Sequence, residues 1–177
     1  MDDFLDDKEK KYLAYFGEPV LVAHDVCSKP HIDIYIFTNQ EETQYFYLTK
    51  GLDESGFREL LMATDANEKW PVYFLQSICN YLVTNKQQIK EMETFENKEN
   101  IKEANGFNFA LFSETTVVGF NKEDLTKELG LINHPLYVFP ITKSELEYSL
   151  KNNIALLLEI ICEKTSPVGS VKRETVV

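Results

Sequence analysis

Eight consecutive residues, His134-Pro135-Leu136-Tyr137-Val138-Phe139-Pro140-Ile141, read as apolar throughout, with no polar alternation. A strand with one face in water alternates apolar and polar positions, so an unbroken apolar run implies burial on both faces. The chain must therefore supply covering layers on either side of a sheet. Pro135 and Pro140 lack a backbone N–H and belong at the ends of the strand pairing. Thr142 and Glu145 follow at the spacing of a capping box, which starts a helix over Lys143 to about Asn152. Asn152-Asn153 interrupts it, and Ile154 to Ile161 has the dominant apolar face of a second helix.

The remaining chain alternates between the two periods. Phe4 to Phe16 sets Leu5, Tyr12, Leu13 and Phe16 on one helical face, and Gly17 with Pro19 ends that segment. Val20 to His24 is a short apolar strand. In His31 to Phe37, Ile32, Ile34 and Ile36 point one way, while Asp33, Tyr35 and Phe37 point the other, towards solvent. The brief polar link Thr38 to Thr43 leads to a second alternating run, Gln44 to Thr49, so the two pair antiparallel. Gly51 ends that strand, and Phe57 to Met62 supplies another. The aromatic set Phe37, Tyr45 and Tyr47 reads as cross-strand packing. At Trp70-Pro71 the period becomes helical, with Phe74, Leu75, Ile78, Cys79, Tyr81 and Leu82 on a wide buried face. Asn85 to Asn105 reads as a solvated, partly ordered connection. Strands follow at Phe107 to Phe112 and Thr116 to Phe120, and then a short helix capped by Asn121 and closed by Gly130.

The expected product is one α+β domain: a mainly antiparallel or mixed sheet packed with helices. Residues 1–19 form an N-terminal amphipathic helix of that domain, 20–164 its body, and 165–177 a loose tail.

Charge narrows the function. Eighteen Lys and Arg face 29 Asp and Glu, a net charge of −11 over 177 residues. Binding to nucleic-acid phosphates depends on cationic side chains, so DNA or RNA is not the expected direct partner. No apolar run reaches the roughly 20 residues of a spanning helix. Acid at Asp2, Asp3, Asp6 and Asp7 replaces the base of a secretory signal, which points to the cytoplasm and away from membranes. Cys27, Cys79 and Cys162 are odd in number and widely spaced, as reduced thiols are.

Catalytic constellations are sparse. The glycines match neither a phosphate-binding loop nor a dinucleotide fingerprint, and no serine lies in a nucleophile elbow. His24, His31 and His134 are scattered and read as strand-end histidines, with no metal or other cofactor expected. Acid does concentrate locally. Asp53, Glu54, Glu59, Asp65 and Glu68, against Arg58 and Lys69, are the candidate partner-binding residues, with solvation the competing explanation.

Four stretches together resemble the suppressor-of-fused domain in its short bacterial form, over roughly Val20 to Lys164. They are His31-Ile32-Asp33-Ile34-Tyr35; Leu48-Thr49-Lys50-Gly51-Leu52-Asp53 with Glu59-Leu60-Leu61; Trp70-Pro71; and Phe139 to Glu147 with Asn152 to Leu157. Asp53 stands where the family's pattern usually has serine. The resemblance implies an α+β domain acting through protein contacts, with no catalysis and no catalytic residues to transfer. It marks Asp33, Gly51, Trp70, Pro71, Pro140, Thr142 and Glu145 as structural motif positions. It also implies an immunity or antitoxin protein that binds a cognate bacterial toxin, nucleases among the candidates, and the acidic balance would steer it towards a basic cleft. The competing expectation is a scaffold or regulator with an endogenous protein partner.

Overall fold

The computed structural model describes residues 6–25, 30–99, 101–118, 120–164 and 173–177. Helix α1 (Asp7–Phe16) precedes strands β1 (Leu21–Ala23), β2 (Asp33–Thr38), β3 (Tyr45–Lys50) and β4 (Leu60–Thr64). Helix α2 (Trp70–Asn85), β5 (Thr94–Glu96), β6 (Phe109–Glu114), α3 (Lys122–Leu129), β7 (Leu136–Ile141), α4 (Lys143–Lys151) and α5 (Ile154–Lys164) complete the order. The seven strands form one sheet, β1-β2-β3-β4-β7-β6-β5. Only the β4–β7 pair is parallel, so the expected α+β domain has a mixed sheet.

Both faces of the sheet are covered, as the apolar run of β7 requires. On one face Ile34, Ile36, Met62, Phe112 and Val138 pack with Trp70, Phe74, Leu75 and Ile78 of α2. On the other, Tyr35, Phe37, Leu48, Leu61 and Phe139 meet Tyr12 of α1, Leu125 and Leu129 of α3, and Leu157 and Ile161 of α5. This covering corrects the reading of β2 as half solvated. Tyr35 and Phe37 are buried under α1, and Asp33 is a buried residue at the strand's entrance. The Tyr35 hydroxyl donates to Glu9 of α1, and Tyr12 donates to the Thr49 carbonyl at 3.0 Å. The register sets Phe37 opposite Phe46 and Ile36 opposite Tyr47, so Phe37 and Tyr47 lie in opposite cores rather than in one stripe.

Pro140 sits beyond the last β7 residue that pairs with β4, Tyr137, so its missing N–H interrupts no ladder on that side. Thr142 and Glu145 form the expected capping box of α4. The N-terminal helix has a box too, formed by Asp6 and Glu9. Gly51 has φ of +104°, and a Cβ there would lie 2.4 Å from the His31 carbonyl oxygen. Only glycine lets the end of β3 approach the entrance of β2 so closely.

Three segments differ from their sequence patterns. Thr115–Val118 is a 3₁₀ turn, closed by the Phe120 amide donating to the Thr115 carbonyl at 3.2 Å. Its β-branched composition favours a strand, but β6 has already left the sheet at Glu114 and is flanked by β5 and β7. The polar connection after α2 holds β5 and a 3₁₀ turn, Lys102–Ala104, and buries Ile101 and Ala104 in the core. The tail expected to be loose is docked at its end, where Arg173 packs against Glu145 and Val176 joins the core under α5. Cys27, Phe4 and Leu5 fall outside the described residues. Cys79 is buried and Cys162 half-buried, and burial raises both thiols above the usual range, so neither is a ready nucleophile.

Candidate functional site

The strand directions collect polar residues at one end of the sheet. There β2 begins, β3 ends, β4 and β7 begin in parallel, and β6 ends. All three histidines, Lys50 to Glu59, and the N-terminal turn of α1 meet at this end.

At its centre is Glu59, fully buried although charged in sequence terms. Its carboxylate accepts the Thr49 hydroxyl at 2.6 Å, the Gly51 amide at 2.9 Å and the Asp53 amide at 3.4 Å. Lys8, reaching down from α1, lies 3.3 Å from Glu59 Oε1 and pairs with Asp53. The Thr49 hydroxyl oxygen in turn accepts the Leu60 amide at 2.8 Å, and the Glu59 carbonyl accepts the Leu136 amide at 2.8 Å. Thus the Thr-x-Gly-x-Asp segment, α1 and the parallel β4–β7 junction share one interior polar network.

Burial is the main influence on Glu59. Lys8 and the Thr49 hydrogen bond oppose it, and the Asp53 carboxylate reinforces it, so the Glu59 carboxyl is pushed up to about 7. Two carboxylates facing one lysine retain a proton most readily. A native pKa above the unfolded value means that the folded state binds the extra proton, so this contribution to stability grows as pH falls from about 7 towards about 4.3 and is lost as pH rises through 7. Wild type is therefore expected to gain stability relative to Glu59→Gln over that acid interval. Thermal unfolding of both proteins between pH 7.5 and 4.5 checks this (~0.5-unit steps suffice). A constant difference would show that Glu59 does not take up the proton.

The five candidate acids separate. Asp53 and Glu59 are buried ion-pair and hydrogen-bond partners of Lys8 of α1, and Asp53 also lines the cleft that Asp7 and Glu54 rim. Glu54 is exposed beside them. Asp65 and Glu68 follow the far end of β4, where Glu68 accepts the Trp70 indole N–H at 2.5 Å and its backbone engages the Tyr47 hydroxyl. The exposed Asp7 and Glu54 instead rim a cleft of about 230 Å³ with Lys8, Lys11, Gly130 and Ile132. Ile132 is 75% exposed. Its position in the loop between α3 and β7 gave no periodic signal, and sequence reasoning missed it.

Two other groups cluster at this end. His24 and His31 converge on Asp33, and Glu91 lies between His134 and Arg58, with Nε2 of His134 3.1 Å and Nη1 of Arg58 2.8 Å from Glu91 Oε1. Both sets contain three residues with ligand-type atoms, the second including Glu114. No described helix is long and apolar enough to cross a membrane.

Comparison with known proteins addresses the whole fold. No curated protein matches the sequence. A crystal structure of a suppressor of fused homologue from Neisseria gonorrhoeae superposes with a TM-score of 0.71 at 12% identity, covering 96% of this chain and 94% of that one. At that identity the likeness concerns the fold. The family model described as Suppressor of fused protein (SUFU) matches residues 28–174, which include the Gly51, Trp70 and Thr142–Glu145 elements described above. The chain belongs to the suppressor of fused family, whose general role is protein interaction.

Proposed function

We propose that this protein is an immunity protein that acts in the cytoplasm and neutralises a cognate bacterial toxin by stoichiometric binding. The observation that carries the reading is the cleft at the polar end of the sheet, where the exposed Ile132 is flanked by the acids Asp7 and Glu54. An apolar anchor with a charged rim suits a protein contact. A net charge of −11 adds long-range attraction to a basic partner, such as the active cleft of a nuclease toxin.

Titration against a candidate toxin, sought among the products of neighbouring genes, tests the reading. Protection is expected to saturate at a fixed molar ratio, with the toxin chemically unchanged and an association rate that falls with ionic strength. Ile132→Asp is expected to weaken binding at least about tenfold while leaving unfolding unchanged. Complete protection at strongly substoichiometric amounts, with covalently altered toxin, would reject binding in favour of an enzyme. A housekeeping operon around the gene, with no toxin, would favour a regulator of an endogenous protein instead.

A further inference from the structure

His31 and Asp33 stand two residues apart at the entrance of β2, so the strand period places both on one face while Ile32 between them enters the opposite core. The antiparallel register pairs Ala23 with Ile34, and one further step sets His24 across from Asp33. The side chains follow that placement. His24 Nδ1 lies 3.1 Å and His31 Nε2 3.0 Å from the same atom, Asp33 Oδ1. The two rings are 19° from parallel with centroids 6.4 Å apart. All three candidate donor atoms lie within 4.8 Å of one another.

The register also brings Lys50 opposite Asp33 on the β3 side, but its ammonium is turned to Asp6 and Glu9 of the α1 terminus. The Asp33 side chain is 9% exposed, whereas those of His24 and His31 are 59% and 55% exposed. Imidazoles so open to water gain little from hydrogen bonds to one shared oxygen, because water competes for the same nitrogens. Their convergence suits an ion better. Bonds of about 2.0–2.1 Å to a tetrahedral centre hold donors roughly 3.3 Å apart, within a few tenths of an ångström of the two histidine–Asp33 spacings.

We propose that His24, His31 and Asp33 bind a single divalent transition-metal ion, with zinc the natural occupant of two imidazole nitrogens and one carboxylate oxygen. The exposed side of the two rings leaves the remaining coordination position to water or to a donor side chain of a docked protein. The ion ties the end of edge strand β1 to β2 beside Gly51, and it does so whatever the partner proves to be. The Glu91, Glu114 and His134 group is the weaker candidate, because the Arg58 guanidinium already holds the Glu91 oxygen that His134 faces. His134 therefore serves as an internal control.

The chain has only three histidines, so each imidazole can be followed by NMR in the intact protein. Zinc titrated into metal-free protein is expected to shift the His24 and His31 signals together, saturating at one equivalent, and to leave His134 in place. Calorimetry should show the same single site, weakened at least tenfold in His24→Ala and in His31→Ala and unchanged in His134→Ala. Cobalt(II) in place of zinc should give the visible absorption of a low-coordinate centre. Absence of saturable zinc binding, wild-type affinity in the His24→Ala and His31→Ala variants, or a shift confined to His134 would overturn the proposal. The wild-type NMR titration decides the matter even if a variant fails to fold.

Discussion

Trp70→Ala is expected to destabilise the protein by about 3–5 kcal/mol, the range for emptying a large aromatic site in a packed core. The indole is 1% exposed, meets Phe74 edge to face at 5.9 Å, and donates its N–H to Glu68 at 2.5 Å. Truncation would open a cavity where α2 starts against the sheet and would strand the Glu68 carboxylate. At this chain length each kcal/mol corresponds to roughly 2–4 °C in melting temperature. Denaturant unfolding should therefore show a clearly lower midpoint with a similar slope. Because the ring is interior, any loss of partner binding should accompany that loss of stability. Unchanged unfolding would mean that Trp70 does not occupy the core.

Glu145→Ala is expected to cost about 3–5 kcal/mol for a different reason, since it leaves a buried guanidinium without its counter-charge. Glu145 is fully buried, and its two oxygens face Nη1 and Nη2 of Arg173 at 2.5 and 3.0 Å. They also accept the Thr142 amide at 2.8 Å and the Val176 amide at 3.1 Å. Arg173 is further held by the Pro140 carbonyl at 2.9 Å and lies over the Phe107 ring, 4.6 Å from its centroid. Burial alone would raise the Glu145 carboxyl, but the Arg173 hydrogen bonds, the Thr142 amide and the Arg173 charge together hold it below the usual range. A depressed native pKa stabilises the fold above the unfolded value of about 4.3, and this contribution disappears as pH falls through the native pKa. The wild-type advantage over the variant should accordingly shrink in acid below about pH 4, the opposite sense to Glu59. Deleting residues 173–177 should reproduce much of the loss. If deletion leaves melting unchanged, Arg173 does not anchor the terminus.

The elements that sequence patterns located well are those whose signals are local. The β2–β3 hairpin follows from two alternating runs and a short polar link, and the α4 start follows from Thr142 and Glu145, whose reciprocal hydrogen bonds span three residues. Gly51 was legible as a strand end, but the reason for glycine was not. The His31 carbonyl that excludes a Cβ lies at the entrance of β2, twenty residues earlier in the chain. Asp33 was misplaced for the same kind of reason. Alternation shows that two faces differ in polarity, but α1 decides whether the more polar face is solvated. Among the candidate acids, composition grouped Asp53, Glu54, Glu59, Asp65 and Glu68 by proximity in the chain. Strand β4 carries them to opposite ends of the sheet and buries two of them.

What the sequence determined by itself was the family, the layered α+β architecture and the identity of most elements. Periodicity, caps and breakers act over a few residues and are written into the order of side chains. Tertiary structure alone decided that Lys8 enters a network with Asp53 and Glu59, that Arg173 closes on Glu145, and that His24 and His31 meet at Asp33. In each case the partners approach only after the sheet has chosen its register and the helices have closed over it. Their charge, exposure and chemistry are therefore properties of the folded neighbourhood and not of the residue types.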